Sequence, residues 1–200
     1  MKTQYKDYKI AFLGKSGVGK SSLINALFKL ELPTNVVEEC TKNVTATWIR
    51  NNDNKFNLDY DSIMIMDTPG ISAALDNDEF YMPFYSHVLS LADCVVWVVQ
   101  GNTRSDKADQ EMIIRLKPFI NEKMRKIICI NMVDKIGKNY DQNWIEEINQ
   151  PNKELQELIE QRCADLLRKF KEIDFEPHSH IICSALKNYN LNELLSAIKN

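Results

Sequence analysis

No stretch of this 200-residue chain is apolar for long enough to span a bilayer. The longest fully apolar run, Cys94 to Val99, has the length of a buried strand. Met1 to Tyr8 is polar and contains lysine, without the apolar core or small-residue cleavage site of a secretory signal. The five cysteines are scattered with no CxxC spacing, and Cys94, Cys129 and Cys183 sit in apolar runs, which is the usage of a reducing compartment. Positive charge is not in excess either. With 25 Lys and Arg against 28 Asp and Glu, the formal charge is -3, so no global basic field draws nucleic acid or an anionic membrane. Repeats, low-complexity tracts and linkers are missing as well. The expectation is a cytoplasmic chain with 44% hydrophobic and 26% charged residues, enough for one domain over residues 1–200 and hardly enough for two.

Short apolar runs alternate with helical patterns, the mark of an α/β fold. Strands are expected at Lys9 to Leu13, Val44 to Arg50, Ile63 to Met66, Cys94 to Val99, Ile127 to Ile130 and Ile181 to Cys183. Helices are expected at Ser22 to Leu30, Phe80 to Leu91, about Ala108 to Leu116, Asn152 to Ile173 and Leu191 to Ile198. The long helix carries a stripe of Leu155, Leu158, Ile159, Leu166, Leu167 and Phe170. Glu31 to Asn43 reads as a loop and Gly70 to Glu79 as a mobile segment. This order suggests a doubly wound sheet, whose ligands bind at the carboxyl ends of its strands.

The chemistry-bearing motifs all fall at those ends. Gly14-Lys15-Ser16-Gly17-Val18-Gly19-Lys20-Ser21 fits GxxxxGK[ST] between a strand and a helix. Glycines let the backbone wrap around phosphates and turn its N–H groups inward, and the helix N-terminus adds a favourable dipole. Lys20 should reach the β- and γ-phosphates, and the Ser21 hydroxyl should ligate Mg²⁺, with Ser22 counted in the same contact set. Asp67-Thr68-Pro69-Gly70 follows the strand Ile63 to Met66. There the carboxylate can hold Mg²⁺ through a water, and the Gly70 N–H can sense a γ-phosphate.

A phosphate loop serves ATP and GTP alike, so the base is chosen elsewhere. In Asn131-Met132-Val133-Asp134 the aspartate can accept from guanine N1–H and N2–H₂, a donor pair that adenine does not offer on that edge. Asn131 would brace the loop. Ser184, Ala185 and Leu186 follow the last strand, and their backbone N–H groups could meet guanine O6. Each short motif is weak alone, and four in the correct order are strong.

With these motifs the chain resembles the Era-like P-loop GTPases of the translation-factor-related class, and in particular the bacterial YfjP/YeeP-type GTPases. GKSGVGKSSLINALF, DTPGI, ADCVVWVVQGNTRSDKADQE, NMVDK, Trp144 with QPNKELQELIEQ, and ICSALKNYNLNELL carry the likeness from Lys9 to Ile198. The resemblance implies a Ras-like fold of six strands, one antiparallel, with helices on both faces, and GTP hydrolysis to GDP and phosphate in a nucleotide-dependent switch. The alternative is a module that holds GTP and assembles with itself or a partner, with negligible turnover. It implies a first switch at Glu31 to Asn43 and a second from Asp67 to about Phe84. Thr41 is then the threonine that meets Mg²⁺ and γ-phosphate, with Thr45 as its competitor. Lys20, Thr41 and Gly70 form the expected catalytic set. A nucleotide-dependent homodimer is compatible with this pattern, and no intrinsic nucleic-acid binding is expected because the chain ends at its final helix.

Three residues depart from the family pattern. Met132 replaces the lysine of NKxD, and Leu186 the lysine of SAK. Ile71 replaces the glutamine that orients the attacking water in Ras-type enzymes, so that group must come from elsewhere. His178 and His180 read as a surface loop, His87 as a helix-surface residue, Cys40 as incidental, Arg104 and Lys107 as solvated loop cations, and Trp144 as a packing anchor. Gly17 stands where K⁺-requiring relatives carry asparagine. Replacing Na⁺ by K⁺ is therefore expected to leave the rate of GTP hydrolysis unchanged, and a severalfold rise would overturn this.

Overall fold

The computed structural model describes residues 6–34, 44–50, 60–71, 75–138 and 142–199. Its main sheet has six strands in the order β2-β3-β1-β4-β5-β8. These are β1 (Asp7–Leu13), β2 (Thr45–Arg50), β3 (Ser62–Asp67), β4 (Cys94–Gln100), β5 (Arg125–Asn131) and β8 (Ser179–Ile182). β2 runs antiparallel to β3, and every other pairing is parallel. The helices are α1 (Lys20–Phe28), α2 (Leu75–Leu91), α3 (Lys107–Leu116), α4 (Lys153–Glu172) and α5 (Leu191–Lys199).

The two-residue period of the strands builds two cores. Ala11 and Leu13 of β1 and Val95, Trp97 and Val99 of β4 face one side, packed with Tyr85 and Val88 of α2, Ile113 of α3 and Leu155 and Phe170 of α4. Ile10, Phe12, Cys94, Val96 and Val98 face the other, packed with Leu23 and Ile24 of α1 and Leu194 and Ile198 of α5. The chain leaves β1 for β3 on one side and returns to β4 on the other. The loop after β1 therefore opens at the reversal of strand order, where ligands of such sheets bind.

Several boundaries differ from the sequence reading. α1 begins at Lys20 and ends at Phe28, where Lys29 takes a left-handed conformation (φ 57°). α2 begins at Leu75, inside the segment expected to be mobile. The run Asp76-Asn77-Asp78-Glu79 carries no apolar stripe, yet acidic residues are at home in a first helical turn. Ser179 and His180 lie in β8 rather than in a loop, because β8 pairs with β5 and Lys126 N–H donates to His178 Nδ1 at 3.0 Å. A hairpin of β6 (Trp144–Ile145) and β7 (Gln150–Pro151) was not foreseen, since two-residue strands leave no period to read. Trp144 is buried there, as a packing anchor should be.

A buried ion pair fastens α4 to the loop after β4. Arg162 stands on the apolar stripe of α4 and donates to Asp106 at 2.6 and 2.9 Å, and to the carbonyls of Gly101 and Gln100. Lys169 adds a 3.0 Å contact to the same carboxylate. Burial alone would raise the Asp106 pKa, but the hydrogen bonds and charges of Arg162 and Lys169 outweigh it and hold the carboxyl below its usual range. Stability from this group is therefore present above the unfolded pKa and lost as pH falls through the folded one. Arg162→Ala strands a buried carboxylate and is expected to cost about 3–5 kcal/mol in urea unfolding at neutral pH. That deficit should shrink as Asp106 is protonated in acid.

Candidate functional site

Four loops meet at the carboxyl end of the sheet. The first, Gly14 to Gly19, leaves β1 and enters α1. Gly19 has φ +84°, and a Cβ there would lie 2.7 Å from Asn131 Nδ2, so no side chain fits between this loop and β5. Lys20 is buried and folds back over its own loop, donating to the carbonyls of Gly14 at 3.0 Å and Lys15 at 3.2 Å. Val18 is buried in the core, whereas Ser16 and Gly17 are exposed. Ser22 is exposed on the first turn of α1.

Ser21 and Asp67 were expected to share a metal. They lie side by side, with Ser21 Oγ donating to Asp67 Oδ2 at 2.6 Å. Beyond Asp67, Thr68 Oγ1 donates to the Phe12 carbonyl, and Tyr85 of α2 donates to the Pro69 carbonyl at 3.2 Å. Gly70 then presses on the first loop, where a Cβ would fall 2.5 Å from Ser16 Cα. Ile71 closes the contact: its N–H donates to Gly14 O and its carbonyl accepts from Ser16 N–H, both at 3.1 Å. The Ile71 side chain is 1% exposed and belongs to the core. It cannot hold a water at the site.

The third loop follows β5. Asn131 Nδ2 donates to the Val18 carbonyl at 3.0 Å, and its Oδ1 accepts from Ala185 N–H at 3.0 Å. The Asn131 carbonyl also accepts from Gly101 N–H at 2.7 Å. Met132 takes a left-handed conformation (φ 61°), and its Cε would lie 3.2 Å from a Cβ on Gly19. Its side chain thus lies against the first loop, as the stem of a lysine would. Asp134 is 5% exposed, and its Oδ1 has no hydrogen-bond partner among the described residues. A buried carboxylate oxygen left so is costly and needs a donor.

The fourth loop, Ser184 to Tyr189, departs from expectation in detail. Ser184 N–H donates to Tyr189 O, and Ala185 N–H is held by Asn131. Of the three N–H groups assigned to a base, Leu186's is the one with no acceptor among the described residues. The Leu186 side chain is 70% exposed.

Thr41 and Cys40 lie outside the described residues, as does most of the first switch. Thr45, the competing threonine, is exposed at the start of β2, opposite Asp67 in the ladder. Arg104 and Lys107 are exposed, and Lys107 pairs with Glu111 of its own helix at 3.6 Å. His87 is exposed on α2.

Sequence reasoning missed what restrains the Lys15 side chain. Its ammonium donates to the Ser105 carbonyl and stands 3.7 Å from Asp109 Oδ2, while Asp109 Oδ1 accepts from Trp97 Nε1 at 3.0 Å. The signal was present in α3: Asp109 occupies the first place of an i, i+3, i+4, i+7 stripe completed by Met112, Ile113 and Leu116. Burial pushes the Asp109 carboxyl up to about 6, against the opposing pull of Trp97 and Lys15.

A profile of the 50S ribosome-binding GTPase family matches residues 9–132. The uncharacterized protein YkfA of Escherichia coli (strain K12) is 32% identical over 102 residues, covering 50% of this chain and 33% of YkfA. GTPase Era of Aquifex aeolicus (strain VF5) is 26% identical over 194 residues, covering 94% of this chain and 54% of Era. The chain thus spans about a third to a half of the length of these relatives. Among solved structures, a variant of Aquifex aeolicus Era bound to GDP.AlF4- superposes with a TM-score of 0.68 at 23% identity, covering 96% of this chain and 56% of the other. Era in complex with MgGDPNP and a segment of 16S ribosomal RNA gives 0.66 at 24% identity, covering 98% and 56%. At these identities the two structures speak for the fold.

Asp109 gives a pH test that needs no ligand. A raised carboxylate contributes stability that is complete below the unfolded pKa of 3.8 and is lost as pH rises through about 6. Asp109→Asn removes that loss. The stability of the variant relative to the parent should climb by up to about 3 kcal/mol between pH 4 and pH 7. Urea unfolding at several pH values checks this, and a constant difference would contradict it.

Proposed function

The chain belongs to the 50S ribosome-binding GTPase family, a family of GTP-hydrolysing enzymes, and from that membership we propose that it binds GTP with Mg²⁺, hydrolyses GTP to GDP and phosphate, and works as a nucleotide-dependent switch. Residues 1–200 act as one G domain, and its place of work is the cytoplasm. No helix among the described residues is long and apolar enough to cross a membrane.

The observation that carries the guanine reading is Asp134 Oδ1, buried beside the Asn131 hub and without a donor among the described residues. Guanine N1–H and N2–H₂ supply the donors it lacks, and adenine does not. Lys20 exchanges the carbonyls of Gly14 and Lys15 for β- and γ-phosphate oxygens. The backbone N–H groups from Gly17 to Ser22 cradle the phosphates at the start of α1. Ser21 and Asp67 are hard oxygen donors in contact with each other, which fits a Mg²⁺ site with the hydroxyl as direct ligand and the carboxylate acting through a water. Mg²⁺ supplies neutralisation of phosphate charge when bound. The Gly70 N–H meets the γ-phosphate, and Thr41 remains the proposed switch threonine over Thr45.

Attack by water on the γ-phosphate is then helped by positioning and charge alone. With Ile71 in the core, no side chain at that position orients the water, and slow intrinsic turnover follows. The second reading, a GTP-dependent self-assembling or partner-binding module with negligible turnover, draws on the same buried isoleucine. RNA appears with Era in one solved complex; for this chain, with its net charge of -3, we propose no intrinsic nucleic-acid binding.

Steady-state GTP hydrolysis with Mg²⁺ across a wide range of protein concentration separates the readings. The expected result is a slow rate that Lys20→Ala reduces by at least about tenfold, the loss of one charge-assisted phosphate contact. A rate per molecule that climbs with concentration indicates that subunits complete each other's sites. No turnover at any concentration, with GTP retained, would favour the assembly module.

A further inference from the structure

The β6–β7 hairpin contributes no residue to the four nucleotide motifs, yet its contacts converge on the loop after β8. Asn149, at the hairpin turn, has a left-handed backbone (φ 52°) and uses both ends of its amide. Its Oδ1 accepts from Trp144 Nε1 at 3.2 Å, and its Nδ2 donates to the Lys187 carbonyl at 2.9 Å. Glu146 of the same turn forms an ion pair with the Lys187 ammonium. The Trp144 ring meets Tyr189 edge-on, with centroids 5.2 Å apart and planes at 89°. Tyr189 in turn closes the loop by exchanging two backbone hydrogen bonds with Ser184.

The loop is thus held from two sides. Asn131 grips Ala185 from the sheet, and the hairpin grips Lys187 and Tyr189 from outside. Between these anchors sits Leu186, whose exposed side chain supplies no polar anchor of its own. A turn that must order itself on meeting a ligand loses affinity to conformational entropy, and a turn held beforehand does not.

We propose that the 144–151 hairpin is a clamp that presets the Ser184–Leu186 loop against the O6 edge of guanine, with Asn149 and Trp144 as positioning residues that do not touch the nucleotide. This rests on the guanine reading given above. The clamp acts on the O6 contact and leaves the Asp134 contact to N1–H and N2–H₂ alone, because Asp134 lies on the β5 loop and the hairpin's hydrogen bonds, ion pair and ring contact named above do not involve it.

Binding of three diphosphates in Mg²⁺ by calorimetry tests this. GDP carries every contact. Inosine diphosphate lacks the 2-amino group and keeps O6. In 6-thio-GDP, O6 is replaced by sulfur, a weak acceptor, and both N–H donors are kept. Asn149→Gly keeps the left-handed turn and removes the amide. It is expected to weaken GDP and inosine diphosphate alike by about fivefold, the worth of one hydrogen bond, with little change for 6-thio-GDP. The preference for GDP over 6-thio-GDP should shrink while that over inosine diphosphate stays. Trp144→Phe keeps the ring on Tyr189 and loses only the indole N–H; it should shift the same ratio more weakly, and it carries the test if the glycine variant does not fold. Equal loss for all three ligands, or an unchanged ratio in both variants, overturns the clamp. A parent protein that binds none of the three overturns the guanine reading itself.

Discussion

Asn131 is the point at which the site is tied together. Its amide donates to the loop after β1 and accepts from the loop after β8, and its carbonyl receives an N–H from the loop after β4. Each bond is worth about 1 kcal/mol net, but a buried partner left without its bond costs more than that. The geometry that makes this possible is the parallel sheet. β1, β4, β5 and β8 all end on one side, so three loops far apart in sequence reach one asparagine at the end of β5. Gly19 completes the arrangement by having no side chain where Asn131 Nδ2 must pass.

Legibility in the sequence followed from how local each signal was. The two-residue alternation of Ile10, Phe12 against Ala11, Leu13 was enough for β1, and the glycine spacing from Gly14 to Gly19 was enough for the loop after it. Six strands with one antiparallel edge followed from the family resemblance. Non-local pairing was not legible. Arg162 looks like a polar interruption of the α4 stripe until Asp106, 56 residues away, is seen to meet it. Likewise, the capture of Ala185 N–H by Asn131 depends on a register that no single segment encodes. The hairpin failed on length, since no periodicity exists in two residues.

Asp106 and Asp109 show how distance decides the fate of buried charge. Both are buried at the start of α3, three residues apart. Asp106 has a two-pronged guanidinium at 2.6 and 2.9 Å and an ammonium at 3.0 Å, and its carboxyl is held low. Asp109 has one neutral indole N–H and an ammonium at 3.7 Å, and burial wins. The stronger pair fastens the loop after β4 to α4. The weaker one holds the Lys15 side chain against that loop and so braces the phosphate loop from the side away from Asn131.

Ile71 is where packing and chemistry meet most closely. A glutamine at this place would either bury an unpaired amide, which costs several kcal/mol, or turn outward and give up the core. Isoleucine instead gains roughly 2–3 kcal/mol by full burial. Its backbone forms two hydrogen bonds with the phosphate loop, which hold Gly70 directly on Ser16. The position of the Gly70 N–H is therefore set by the hydrophobic core through Ile71, before any ligand arrives. On the proposed reading, loss of a water-orienting side chain and fixation of the N–H that meets a γ-phosphate are two consequences of the same buried residue. In that proposal the chain keeps the means to detect a third phosphate while lacking the local means to remove it quickly.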